Sequence, residues 1–357
     1  MDSDSSETSS DADDALDGET ETETEGETET ETATETESEG ETETGAETGG
    51  AGELEQLSMF GDWPALGVAH RDDLVFVAAA NAGLHIVDVQ DPSSPVELGA
   101  VGGPGVAYEV VLVGDYAYLA TWNGGLWVVD VSDPANPQDA GAQATTAFAR
   151  GLTAADGHVY VGSIDGAFGD SDPTNGVEVF DISTPGAPQL VGAVTTQGWA
   201  GGAAVVGSWA FVADGPGGMG VLDISAPASL QLVTSVPTQV RAYGVAAEAG
   251  VAVIADNAGD LRVMDISSPE AAKEVGSLSV DGLAYGVAID GDEAWVACDD
   301  GGVNMPGTLV VADISDPASP TVKASVPTSN RVWGVALSDA LAFGAGTEGG
   351  LMVFSRP

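Results

Sequence analysis

From residue 53 onward the chain alternates short apolar runs with clusters of Gly, Asp, Asn, Ser and Pro. Early in this part the runs cover residues 66–70, 74–79, 84–89 and 96–101. They are rich in Val, Leu, Ile and Phe, and runs of this length bounded by turn residues predict β-strands. No stretch here carries a sustained helical apolar stripe. One phrase then recurs at a fixed stride. It reads Gly-Leu-His-Ile-Val-Asp-Val-Gln-Asp-Pro at residues 83–92 and Gly-Leu-Trp-Val-Val-Asp-Val-Ser-Asp-Pro at residues 125–134. It returns around Asp181, Asp223, Asp265 and Asp313, each followed by Ile-Ser-x-Pro. Successive Asp spacings are 42, 51, 42, 42 and 48, and a further 42 lands on Ser355.

A period near 42 means that each unit is one supersecondary element that must stack on its neighbours to bury its faces. Four short strands with tight turns use up the period, so the prediction is an all-β, seven-bladed β-propeller of four-stranded antiparallel blades. Its inner strands fall around Val68, Val110, Leu152, Ala203, Val245, Val287 and Val335. The seventh unit ends after three strands. Residues 53–59 are expected to supply the fourth by pairing with residues 351–354, closing the ring and removing two open sheet edges. The repeated Asp predicts a structural role: it ends the third strand, where a carboxylate accepts backbone hydrogen bonds from the following turn.

The string Leu126 to Pro134, with its six near copies, resembles the LVIVD repeat of bacterial and archaeal cell-surface proteins. The resemblance covers residues 53–357 and implies a propeller in an extracytoplasmic setting. It brings no catalytic residues with it. Thr184 and Ala226 depart from the pattern at the second Asp, and Ser355 at the first.

Composition divides the chain near residue 52. Residues 1–50 hold 20 acidic side chains, no Lys or Arg, and a Glu-Thr run. Such a segment buries too little surface to offset ordering entropy and repels itself, so residues 1–52 are expected to form a disordered acidic spacer. A cation-binding or glycosylated stalk is the sharper alternative. Met1-Asp2-Ser3-Asp4 has neither a basic start nor an apolar core. An acidic stalk before a globular domain is nonetheless the layout of many lipid-anchored surface proteins, so an export signal upstream of this start, or trimmed from it, is expected. No stretch approaches 18 apolar residues, and the expectation is a monomer at the cell surface without a transmembrane segment. Cys298 is the single cysteine and is expected to pack in a strand.

With the first 50 residues' 20 acids set aside from the total of 57, 37 remain in the propeller against 8 Lys and Arg, a formal charge of −29. Nucleic acid and anionic membranes are therefore disfavoured as partners. Against this background the arginines are informative. Arg150, Arg241 and Arg331 fall at the start of their inner strands, near the face where propellers usually bind ligands. Tyr108, Trp199, Tyr243, Tyr285 and Trp333 fall beside them. Aromatic faces with guanidinium forks suit a sugar or a carboxylate-bearing ligand. The competing reading is structural: the rings wedge blades apart, and Glu109, which replaces a recurring Gly, neutralises Arg150.

Two blades exceed the 42-residue stride through insertions between their second and third strands. The first carries Asp170, Asp172 and Asn175, oxygen donors of the type calcium takes, though without EF-hand register. An ordinary acidic surface loop is the alternative. His70, His85 and His158 form no ligand spacing, and no nucleophile elbow, phosphate loop or other cofactor motif is present. The sequence thus points to a non-catalytic surface module that binds an extracellular glycan or protein at the propeller mouth. A metal-dependent propeller hydrolase or lactonase and a purely structural repeat protein remain as alternatives. Inward carboxylates converging on one point would favour the hydrolase; an aromatic floor would favour binding.

Overall fold

Each repeat folds as its pattern dictates: alternating β-branched and small residues form a strand, and Gly, Asp and Asn turn it back. In the computed structural model, which describes residues 53–165, 175–299 and 306–356, these strands form seven four-stranded antiparallel sheets. The inner strands are Gly67–Arg71, Glu109–Val113, Phe148–Ala155, Gly202–Val206, Ala242–Glu248, Leu283–Asp290 and Val332–Leu337, for blades 1 to 7. The acidic spacer expected over residues 1–52 lies outside the described residues.

The core lies between blades. Phe76 and Ile86 of blade 1 pack with Leu119 and Trp127 of blade 2. Phe343 and Val353 of blade 7 pack with Val75 and Val77 of blade 1. The ring is therefore closed by packing as well as by pairing. Gln56–Phe60 is the outer strand of blade 7, with Gln56 opposite Phe354 and Phe60 opposite Leu351. The pairing starts three residues later than the sequence suggests, because Ser355 holds the preceding segment instead. Its N–H donates to Glu55 O at 2.9 Å, and its hydroxyl donates to Glu53 O at 2.6 Å.

The repeated Asp does what its position predicts. In six blades its Oδ1 accepts the N–H two residues on: Gln90 to Asp88, Ser132 to Asp130, Ser183 to Asp181, Ser225 to Asp223, Ser267 to Asp265 and Ser315 to Asp313. Where that residue is Ser, hydrogen bonding from its side chain and backbone holds the carboxyl below its ordinary range. Blades 4 and 5, which have Ala226 and Ser268 at the second Asp position, turn through short 3-10 helices opened by Pro227 and Pro269.

The narrow centre of the ring depends on glycine. The second channel-facing position of the blades reads Gly67, Glu109, Gly151, Gly202, Gly244, Gly286 and Gly334. A Cβ on Gly286 would lie 2.1 Å from Trp333 O, and one on Gly244 2.3 Å from Tyr285 O. Only hydrogen lets the inner strands approach this closely. Glu109 alone breaks the ring.

Candidate functional site at the propeller mouth

One position earlier, the same stride places one residue per blade around the channel: Leu66, Tyr108, Arg150, Gly201, Tyr243, Tyr285 and Trp333. This collar is aromatic in four blades, and Arg150 reaches across it. The Arg150 guanidinium carbon lies 5.0 Å from the Trp199 ring centre, 5.1 Å from Tyr243, 5.8 Å from Tyr108 and 5.9 Å from Trp333. Cation–π attraction is strongest when water is excluded, and Arg150 is 7% exposed. Burial lowers its pKa, while the nearby tyrosines and Glu109 act in the opposite sense. The aromatic rings form a cage, and its occupant is the protein's own cation.

Glu109 lies beneath the collar, its Oε2 accepting Leu152 N–H at 3.4 Å. It is half-buried in the lumen. Burial pushes its pKa up to about 7, against the Leu152 hydrogen bond and the Arg150 charge. It is the single carboxylate among the described channel-lining residues. The remaining cavity is about 120 Å³, small beside the ~300–1,000 Å³ of pockets that enclose drug-sized ligands. A ligand of that size has room on the face above the collar and none within it.

The three predicted arginines do not share one ring. Arg150 is equivalent to Tyr243 and Trp333. Arg241 and Arg331 stand two residues earlier, on the rim, in register with Trp199. Arg331 Nε donates to Asp299 Oδ2 at 2.6 Å, and its Nη2 to Tyr285 Oη at 3.4 Å. Trp199 is fully buried and meets Tyr243 edge-on at 4.9 Å. Its place is in the closure of the channel, whereas Tyr108, Tyr243, Tyr285 and Trp333 remain half-buried around the mouth. Tyr285 and Trp333 stack at 5.4 Å.

Buried carboxylates fix the rim loops. Asp214 Oδ2 accepts the N–H groups of Gln197 and Gly198 at 2.8 and 2.9 Å, which sets Trp199. Asp256, 42 residues on, accepts those of Gln239, Val240 and Arg241 at 2.9, 3.3 and 3.0 Å. Asp256 also receives Arg262 Nε at 3.2 Å, within a buried cluster where Arg262 bonds Asp260 and Glu274 as well. The sequence reading did not single out these aspartates. Their signal was two Asp residues one repeat apart at the end of a second strand.

Trp122 was also missed. It turns between the second and third strands of blade 2 with φ +30°. It stacks on Phe148 at 4.7 Å and 5°, and meets Tyr108 at 5.3 Å. A non-glycine residue in left-handed backbone is held there by its surroundings. Of the calcium candidates, Asp170 and Asp172 lie outside the described residues. Asn175 is buried, and its Oδ1 accepts Asp165 N–H at 2.7 Å, tying the base of the inserted loop. Among the described residues no group of three potential ligands assembles a metal site. His85 pairs with Glu97 at 2.7 Å and tilts on Trp63, His70 bonds Leu337 O, and His158 bonds Asp156 O, so the histidines are dispersed. Cys298 is buried and burial pushes its thiol up to about 12.

The LVIVD repeat pattern matches residues 65–102, 104–145, 171–196, 197–238, 241–280 and 281–328, about two thirds of the chain. The chain belongs to the LVIVD-repeat family. Among curated proteins, none matches it in sequence. Solved structures resemble this LVIVD propeller in fold. The U3-55K protein is 10% identical with TM-score 0.68, over 85% of this chain and 98% of that one. The WD40 β-propeller domain of Doa1 is 13% identical with TM-score 0.67, over 85% and 97%. BamB from Moraxella catarrhalis is 14% identical with TM-score 0.56, over 82% and 84%. At these identities the likeness is one of fold. Among the described residues no helix of the LVIVD propeller is long and apolar enough to cross a membrane.

Proposed function

We propose that this LVIVD propeller is a non-catalytic binding module outside the cell, and that its ligand is a glycan lying across the mouth. The observation that carries the reading is the collar. Four half-buried aromatic residues surround the mouth, and Arg150 reaches across the channel among them. A ligand on this face meets ring edges and faces with a cation among them, an arrangement suited to the apolar faces of sugars. Hydrolysis would need acid and base groups converging on one reacting centre, and the described channel lining offers Glu109 alone.

Thermal shift and calorimetry on residues 51–357 test this, with oligosaccharides as probes and a Tyr285→Ala/Trp333→Ala variant as control. Binding to the native state raises the melting temperature. A shift with a glycan that disappears in the variant supports the assignment. A glycan-induced shift that survives the double substitution places binding elsewhere on the propeller, and release of a hydrolysed product would replace the binding module with an enzyme.

A further inference from the structure

The repeat register allows one rim position to be compared between blades, and the comparison separates Arg241 from Arg331. The counter-ion of Arg331 is Asp299, at the end of the second strand of the preceding blade. One stride of 42 back from Asp299 is Asn257, and a second is Gly215. Gly215 bridges Ala242, so it faces blade 5 at the place from which Arg241 would draw its counter-ion. It has no side chain to offer. Nor does the site admit one easily: Gly215 has φ +49°, and a Cβ there would lie 2.4 Å from Trp199 Cε2.

Arg241 is consequently held by its backbone and free at its head. Its N–H is fixed to Asp256, whose Oδ2 also receives Arg262. Among the described residues the half-buried Arg241 side chain has no ion pair, hydrogen bond or ring contact. Arg262, Arg331, Arg356, Lys273 and Lys323 each have a carboxylate partner. In a propeller with formal charge −29, a guanidinium with no carboxylate partner among the described residues is suited to pair with an anion.

We infer that Arg241 is the anchor for the carboxylate of a uronic acid carried on an otherwise neutral glycan. This rests on the binding reading above and adds the charge of the ligand to it. The surrounding acidity selects for sparse charge, since a polyuronate or an acidic peptide would gain one guanidinium and meet the repulsion of the whole domain. The collar then receives the neutral sugar rings beside the anchored acid.

The test is calorimetry on the full chain at low and physiological salt. The probes are an oligosaccharide bearing one glucuronic acid, its neutral glucose counterpart, polygalacturonate and an acidic peptide. Arg241→Gln is the variant; its unbonded side chain predicts an unchanged melting temperature. Wild-type protein should bind the mono-uronate best, and the substitution should weaken that binding by about tenfold or more, the loss of one charge-assisted pair. Affinity for the neutral glycan should not move. Equal affinity of both glycans, unaltered in Arg241→Gln, overturns the anchor and leaves the glycan reading intact. No binding of either glycan overturns both. Tighter binding of polygalacturonate, or an acidic peptide that alone binds, overturns the choice of ligand.

Discussion

Arg150 lies with its guanidinium carbon 5.0 Å from the centre of the Trp199 ring, and Gly215 packs closely against the same indole. A cation, an indole and a glycine from two adjacent blades thus depend on one another in closing the channel. A Cβ on Gly215 would meet Trp199 Cε2 at 2.4 Å, in backbone with φ +49°. Gly215→Ala should therefore cost about 2–4 kcal/mol, combining left-handed strain with overpacking. Urea denaturation measures it, and a loss below 0.5 kcal/mol would contradict the contact.

Arg150 and Glu109 are the two exceptional residues of the channel, and they act on each other's charge. Arg150→Met fills the cage with an apolar chain. Replacing one charge leaves the other buried and less compensated, while replacing both by neutral groups of similar shape is often neutral or stabilising. The single substitution should cost about 1–3 kcal/mol at pH 8, and Arg150→Met/Glu109→Gln should recover most of it. Additive losses in the double-mutant cycle would show that the two charges are independent.

Glu109 also predicts a pH dependence. Its carboxyl is raised by burial from 4.5 to about 7 in the folded chain. The folded state then binds the proton more tightly than the unfolded state. The associated stability is present below the unfolded value and falls as pH rises from about 4.5 to 7, by up to roughly 3 kcal/mol. Glu109→Gln should remove this decline. The turn aspartates Asp130, Asp181, Asp223, Asp265 and Asp313 act in the opposite sense: their lowered pKa values give stability above the ordinary carboxylate range that is lost as pH falls through the folded values. Melting temperature recorded from pH 3 to 9 in wild type and Glu109→Gln separates the two effects.

Closure by Gln56–Phe60 makes the start of the propeller as important as its end. A chain beginning at residue 61 loses the Gln56–Phe60 pairing with Gly350–Ser355, and with it Leu57 and Phe60 from the core between blades 7 and 1. It also exposes a strand edge. Its melting temperature should fall on the order of 10 °C below that of a chain beginning at residue 51. Equal melting temperatures would mean that the closing strand contributes nothing.

Asp256 supports both the rim and a buried cation. Asp256→Ala leaves three loop N–H groups and Arg262 without that acceptor. A loss of about 3 kcal/mol is expected. If Arg241 anchors a uronate, the same substitution should weaken uronate binding while leaving the Arg241 side chain in place. Titration of the variant below its melting range checks this.

The sequence by itself determined the strands, the blade count, the closing strand and the role of the repeated Asp. Each of these depends on local spacing: a strand has period 2, a turn has preferred residues, and a unit repeated at 42 residues must stack. The exceptional Glu109 was legible for the same reason, as one carboxylate in a column of glycines. The tertiary structure decided which residues face one another across blades. Arg150, Arg241 and Arg331 look alike in sequence, yet a shift of two residues puts Arg150 inside an aromatic cage and leaves the others on the rim. Whether a rim arginine is neutralised depends on a residue 26 or 32 positions away on the neighbouring blade, Gly215 or Asp299. Contacts across blades follow from packing between sheets that share no hydrogen-bond ladder, so strand periodicity carries no record of them.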